Sequence, residues 1–289
     1  MSFRIVSDSS SNVLSMGDSD YTTVPLKIIA GKEYVDDTAL DLAGMMEDLR
    51  NHKGKSGSSC PNVGEWLDAF GDAREIFCVT ISRNLSGSYA ASVQAGEVYM
   101  AEHPGAKVFT FDSLAVGPEM MMIVDKILSC EAAGDDYETT KRKVLDYHNH
   151  IHTVFCLESM LNLARNGRTS MAVAKLAGML GIRVVGIAAD GQVTPVHKPR
   201  GAKKATQTIV EMVKERGFRN GNTIRVAHCF APEAAKALEE AVKAEFPDAN
   251  FVLEHTTALC SFYAEAGGLI VGFEGAFNTE NDNGKYYNG

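Results

Sequence analysis

The chain of 289 residues and 31.2 kDa is 45% hydrophobic, 22% charged and 8% aromatic, values of a folded globular protein with room for one large domain or two. Its 28 Lys and Arg stand against 37 Asp and Glu, a formal charge of −9 without any Lys/Arg block. Such a chain gains nothing from phosphate counterion release, so nucleic acid is excluded as an expected partner, and its apolar content excludes a disordered or linker protein.

The opening Phe3-Arg4-Ile5-Val6-Ser7-Asp8 reads as a first strand, without the apolar stretch and cleavage site of a signal peptide. No window reaches the ~18 apolar residues of a membrane helix. Strands are predicted at 3–7, 22–29, 75–81 and 106–111, alternating with helices at 39–51, 63–70, 88–103 and 117–132. Strand and helix in alternation predict a parallel α/β sheet, whose ligands bind beyond the carboxyl ends of the strands. A polar helix at 137–146 leads to His148-Asn149-His150-Ile151-His152, where the pattern changes. Three imidazoles there would share one face of a strand and suit a metal, but with no carboxylate nearby a solvated turn is expected, and no metal site.

Beyond it the pattern predicts a strand at 153–157, helices at 161–166 and 171–180, and a hairpin of 184–189 and 192–196 around Asp190-Gly191. Then come a helix at 202–216, a strand at 223–229, a helix at 232–246 and strands at 250–255 and 268–273. The expected organisation is a domain at 1–149, a second at 150–275, and a disordered tail or cloning remnant at 276–289. The six cysteines, Cys60, Cys78, Cys130, Cys156, Cys229 and Cys260, form no C-x-x-C pair. They read as mostly buried thiols of a reducing compartment, which predicts a cytoplasmic protein.

The most informative residues are two serine-rich turns, Ser56-Gly57-Ser58-Ser59-Cys60-Pro61 and Ile81-Ser82-Arg83-Asn84-Leu85-Ser86-Gly87-Ser88-Tyr89, each just ahead of a predicted helix. The first amides of a helix lack internal partners and sit in positive potential, so such turns bind anions as well as cap helices. With Asp8-Ser9 and Asp112-Ser113 past two other strand ends, they converge on one edge of the sheet as an expected anion pocket.

These segments also resemble the DegV family of fatty-acid-binding proteins in order and spacing. The resemblance runs through Asp8-Ser9-Ser10-Ser11, Ser58-Ser59-Cys60-Pro61-Asn62-Val63-Gly64-Glu65-Trp66, Leu85-Ser86-Gly87-Ser88-Tyr89 and Phe111-Asp112-Ser113. It continues through Leu161-Asn162-Leu163-Ala164-Arg165-Asn166-Gly167-Arg168 and from Asp190-Gly191 to Arg200, covering about residues 3–275. It implies two domains, an N-terminal parallel-sheet α/β/α domain and a C-terminal α+β sandwich, with a ligand tunnel between them. It implies a bound long-chain fatty acid as ligand, no cofactor, and no catalytic residue in this chain. The carboxylate is expected on Ser58, Ser59, Ser86 and Gly87, with Asp8, Ser9, Asp112 and Arg200 at the pocket edge or in partner contact. The implied role, in bacteria, is a carrier presenting the carboxylate to a separate fatty acid kinase catalytic subunit.

The match departs from the family at Phe262-Tyr263-Ala264-Glu265-Ala266-Gly267. Tyr263 falls where the family has a His that completes carboxylate binding, and it still offers a hydrogen bond. Glu265 replaces a glycine, and facing the pocket it would repel an anion. Arg168 reads as a structural residue and the Met120-Met121-Met122 run as core packing.

No G-x-G-x-x-G after the first strand, no G-x-x-x-x-G-K-[ST] and no G-x-S-x-G occurs, so dinucleotide use, nucleotide hydrolysis and α/β-hydrolase chemistry lack support. A hydrolase with Ser86 as nucleophile would need a His base that sequence does not place. The alternative to lipid carriage is an enzyme acting on a small phosphorylated or carboxylated metabolite at the same serine-lined pocket. An acidic chain holding an anion must rely on local helix ends, hydroxyls and apolar burial, and its excess negative charge suits solubility or a basic partner surface.

Overall fold

The computed structural model describes residues 3–17, 19–177 and 179–281. The chain forms two compact units, unit 1 comprising the residues up to 116, Met120–His148 and Thr257–Leu259, and unit 2 comprising Gly117–Glu119, Asn149–Thr256 and the chain from Cys260 on.

The elements up to His148 are β1 (Arg4–Asp8), β2 (Tyr21–Val24), β3 (Lys27–Ile29), β4 (Glu33–Val35), α1 (Leu42–Asn51), β5 (Gly57–Ser59), α2 (Val63–Phe70), β6 (Glu75–Thr80), α3 (Ser88–Glu102), β7 (Lys107–Asp112), α4 (Pro118–Ala132) and α5 (Tyr137–His148). Four strands pair in parallel in the order β2-β1-β6-β7. The chain leaves β1 to one side for β2 and later returns to its other side as β6, so the topological switch point lies between the carboxyl ends of β1 and β6. On one face of this sheet Trp66 and Phe70 of α2 and Ala95 and Tyr99 of α3 bury Val6, Val24, Ile76 and Cys78. On the other, Tyr137 of α5 stacks on Phe77 with ring centroids 4.3 Å apart and donates its hydroxyl to the Ile76 carbonyl. Near-continuous apolar runs such as Ile76-Phe77-Cys78-Val79 follow from burial on both faces.

Two expectations change here. The strand expected at 22–29 breaks at Pro25, which has no N–H to give a ladder, and its second half becomes β3 of a separate antiparallel sheet, β4-β3-β5. The first serine-rich segment is no simple turn, because Gly57–Ser59 pairs with β3, setting Ser58 opposite Ile28 and Ser59 opposite Lys27.

The later elements are β8 (Ile151–Leu157), α6 (Leu161–Arg165), α7 (Met171–Ala177), β9 (Val184–Ala189), β10 (Gln192–His197), α8 (Ala202–Glu215), β11 (Thr223–His228), α9 (Pro232–Glu245), β12 (Asn250–His255), α10 (Ala258–Ala264) and β13 (Leu269–Glu274). Six strands form a mixed sheet in the order β10-β9-β8-β13-β11-β12, with only β11 and β12 parallel. Asp190 and Gly191 both take positive φ, 47° and 68°, the two-residue turn whose twist suits a hairpin. Ala205, Ile209 and Val213 of α8 recur at helical spacing and pack with Leu238 and Val242 of α9 over strand residues Val154, Val226 and Val271, which share one sheet face by alternation.

The histidine segment is not a solvated turn. His148 ends α5 with no exposure, its Nε2 2.9 Å from the Ser113 carbonyl oxygen, and burial lowers its pKa. His152 lies in β8, stacked on Phe273 at 5.3 Å, with Nε2 2.9 Å from the Ala276 carbonyl oxygen. Among the described residues no three His, Cys, Asp or Glu side chains are grouped to hold a metal. The expected tail also begins later than residue 276. Asn278 is buried and donates its side-chain N–H to the Ile151 carbonyl at 2.8 Å, and Glu280 pairs with Arg216 at 2.6 Å. The rest of that tail, 282–289, lies outside the described residues.

Candidate functional site

The loops following β1 and β6 meet at the switch point of unit 1. Asp8, the last residue of β1, has no exposed surface. Its Oδ2 accepts the Ile81 N–H at 3.0 Å and the Ser88 hydroxyl at 2.7 Å, while Oδ1 accepts the Ser10 N–H at 3.2 Å and the Ser10 hydroxyl. Burial raises the Asp8 pKa, opposed by these donors.

Between Ile81 and Ser88 the chain makes a tight turn, with Leu85 and Ser86 N–H groups donating to the Ser82 carbonyl at 3.0 and 3.1 Å. Helix α3 starts from Gly87 without a side-chain cap. The Ser86 hydroxyl oxygen accepts the Ser88 N–H at 3.3 Å, which leaves its own O–H to donate. A half-buried hydroxyl beside the uncapped amides of a 15-residue helix can bind a carboxylate or a phosphate. The start of α2 differs, because Asn62 accepts the Glu65 N–H at 3.0 Å and Glu65 accepts the Asn62 N–H at 2.7 Å. That capping box uses donors which the sequence reading reserved for an anion. The first serine segment contributes hydroxyls from β5, and adjacent strand residues face opposite ways. Ser58 lies across from the fully buried Ile28, whereas Ser59 lies across from Lys27, whose ammonium pairs with Glu65 at 3.2 Å.

The two serine segments adjoin, since a Cβ built on Gly87 would stand 3.1 Å from the Cys60 sulfur. Cys60 is exposed and the other five cysteines are buried. Asp112, at the end of β7 and fully buried, accepts the Arg83 and Leu114 N–H groups at 3.2 and 3.1 Å and pairs with the Arg83 guanidinium, which stacks 4.4 Å over the Tyr89 ring. Its charge is spent inside the protein. Ser9 is likewise buried, its hydroxyl accepting the Leu26 N–H at 3.0 Å. Sequence reasoning missed Asp36, a buried carboxylate that accepts the Ala258 and Leu259 N–H groups at 2.8 and 3.1 Å and the Thr257 hydroxyl at 3.2 Å. Burial raises its pKa. Its signal, Asp36-Asp37 before a helix, reads locally as nothing more than turn and cap chemistry.

In unit 2, Tyr263 lies near the end of α10, half-buried, with the Arg168 guanidinium 5.8 Å over its ring. Glu265 takes φ 54°, the left-handed conformation that glycine adopts without cost, and its carboxylate accepts the Asn162 N–H at 3.1 Å. Arg200 is exposed and bridges Ile182. Met120, Met121 and Met122 are all buried as core packing requires. Unit 2 also contains a cleft of about 730 Å³ between α8, α9 and the sheet, lined by Cys156, Ala205, Ile209, Ala234, Ala241 and Leu269.

The family model described as "Uncharacterised protein, DegV family" matches residues 2–274. The chain belongs to the DegV family. A DegV domain-containing protein of Streptococcus pneumoniae is 33% identical over 280 residues, covering 95% of this chain and 99% of that one. A DegV family protein of Eubacterium eligens, solved loaded with heptadecanoic acid, superposes with a TM-score of 0.92 at 34% identity over 95% of this chain and 100% of that one. The Fatty Acid Kinase B3 protein of Streptococcus pneumoniae, solved loaded with linoleic acid, gives 0.92 at 33% identity over 95% and 99%. Both of these solved relatives hold a long-chain fatty acid. Among the described residues of the present DegV chain no helix is long and apolar enough to cross a membrane.

Proposed function

We propose that this protein binds a long-chain fatty acid and presents its carboxylate to a separate kinase, having no catalytic machinery of its own and acting in the bacterial cytoplasm. The observation that carries the binding is the second serine turn at the switch point, where the Ser86 hydroxyl and the start of α3 on Gly87 offer donors to an anion. Charge-assisted hydrogen bonds of this kind are short and strong, and they avoid desolvating a second charge. Ser58, on the buried side of β5, supplies the companion hydroxyl; Ser59 faces the other way. Tyr263 replaces an imidazole with a phenol and is the third donor of the proposal. The cleft of unit 2 has the volume of a small-ligand site, but Glu158, Arg183, Lys203, Glu233 and Glu240 line it beside the alanines, so it adds no support for a hydrocarbon ligand. The fatty acids held by two relatives at 33–34% identity support the same reading.

Protein made in a bacterial host is expected to release fatty acid on denaturing extraction, detected by mass spectrometry. Ser86→Ala is expected to weaken rebinding by about tenfold or more, the loss of one hydrogen bond to a charged group. Repeatedly empty preparations that also refuse added fatty acid would overturn the proposal. Turnover of a small phosphorylated or carboxylated metabolite that vanishes in Ser86→Ala would establish the enzyme reading in its place.

A further inference from the structure

We infer that Asp8 is the positioning residue of the anion turn, holding both ends of loop 81–88 so that Ser86 and the first amides of α3 face the ligand head; this rests on the fatty-acid reading above. The division of labour between its two oxygens carries the inference. Oδ2 takes the Ile81 N–H, where the chain leaves β6, and the Ser88 hydroxyl, where α3 begins. Oδ1 takes the Ser10 N–H and hydroxyl of the short 3-10 turn that follows β1. One carboxylate therefore ties the entry and the exit of the loop to the end of its neighbouring strand. Only the stretch between those anchors turns outward, from half-buried Arg83 to exposed Gly87.

A carboxylate buried behind an anion site is electrostatically adverse, since like charges repel across a low-dielectric interior. Its presence there calls for a compensating role, and the four donors supply one. The two effects predict opposite signs on neutralisation. If Asp8 acted only as a charge, Asp8→Asn would tighten anion binding by removing repulsion. If Asp8 positions the loop, Asn weakens it, because an amide has one acceptor oxygen and must turn its NH₂ toward either the Ile81 N–H or the Ser10 N–H, donor against donor.

The test measures equilibrium binding of one long-chain fatty acid, and of the alcohol with the same chain, to delipidated protein. Asp8→Asn and Ser88→Ala are each expected to weaken the acid by about tenfold, while the alcohol changes by less than about twofold. The double variant is expected to lose less than the sum of the two single losses, because the Ser88 hydroxyl acts through Asp8. Equal losses for acid and alcohol, full additivity, or tighter acid binding by Asp8→Asn would overturn the inference. If Asp8→Asn fails to fold, Ser88→Ala decides alone, and an unchanged preference for acid over alcohol overturns it. A wild-type protein that binds neither ligand overturns the fatty-acid reading itself, and this inference with it.

Discussion

Glu119 shows how far one residue departs from its ordinary chemistry inside this fold. Its carboxylate accepts the Thr153 hydroxyl at 2.5 Å, and a Cβ on Gly272 would come within 2.9 Å of its backbone nitrogen. Burial pushes its pKa up to about 8, with Glu280 adding in the same direction. An unfolded glutamate releases its proton near 4.5. The stability it contributes is therefore fully present below about pH 4.5 and is lost as pH rises through about 8. Glu119→Gln keeps the shape and the acceptor, so it flattens that fall. Urea denaturation at about pH 5 and about pH 9 is expected to show the wild type losing on the order of a few kcal/mol more than the variant. Parallel losses in the two proteins would show that Glu119 is ionised in the fold.

At the scale of elements, the two helix starts in unit 1 separate structural capping from ligand chemistry. Helix α2 closes its own N-terminus with the Asn62–Glu65 box, whereas α3 begins on Gly87, which has no side chain to cap it, and only the Ser86 hydroxyl reaches its first amide. Asn62→Ala is expected to cost about 1 kcal/mol of stability, read from the denaturation midpoint, and to leave fatty-acid affinity unchanged. A loss of affinity comparable to that of Ser86→Ala would place the ligand at α2 instead. Most element types were legible in the sequence, because hydrophobic period and turn residues are local signals. Val63–Phe70 and the Asp190-Gly191 hairpin lie where the pattern puts them. What was not legible was pairing. Nothing local says that Gly57–Ser59 finds β3, or that Pro25 divides a strand between two sheets, since strand partners are chosen by burial and long-range register.

For the whole molecule, the net charge of −9 conceals a local reversal. Between Ser159 and Val210 eight Lys and Arg stand against one acidic residue, Asp190. Folding gathers these stretches in unit 2, where the Arg183 N–H donates to the Pro199 carbonyl at 3.0 Å, the Gly201 N–H donates to Gly181 at 2.7 Å and Arg200 bridges Ile182. Leu180, 89% exposed, lies on the same stretch. Arg183 is already paired with Glu158, and the bases that remain suit acidic groups on a partner, the reverse of the basic surface that overall charge suggests. Arg200→Glu is expected to weaken association with the proposed kinase partner by about tenfold at low salt, and less at high salt, without changing fatty-acid affinity; surface plasmon resonance across a salt series checks both. Association indifferent to salt and to Arg200 would move the docking face elsewhere.

The sequence by itself determined the composition of the elements, the two-part change of pattern and the serine turns with donors suited to an anion, because each depends on neighbours a few residues away. Only the tertiary structure decided that Ser58 pairs across from Ile28 and Ser59 across from Lys27, that Cys60 abuts Gly87, and that Asp8 and Asp112 are bonded inside the protein. The Asp8 contacts to Ile81 and Ser88 span 73 and 80 residues. Contacts at such separation leave no periodic trace, since they form only when parallel strands bring distant chain ends to one edge and burial leaves each carboxylate no water to solvate it.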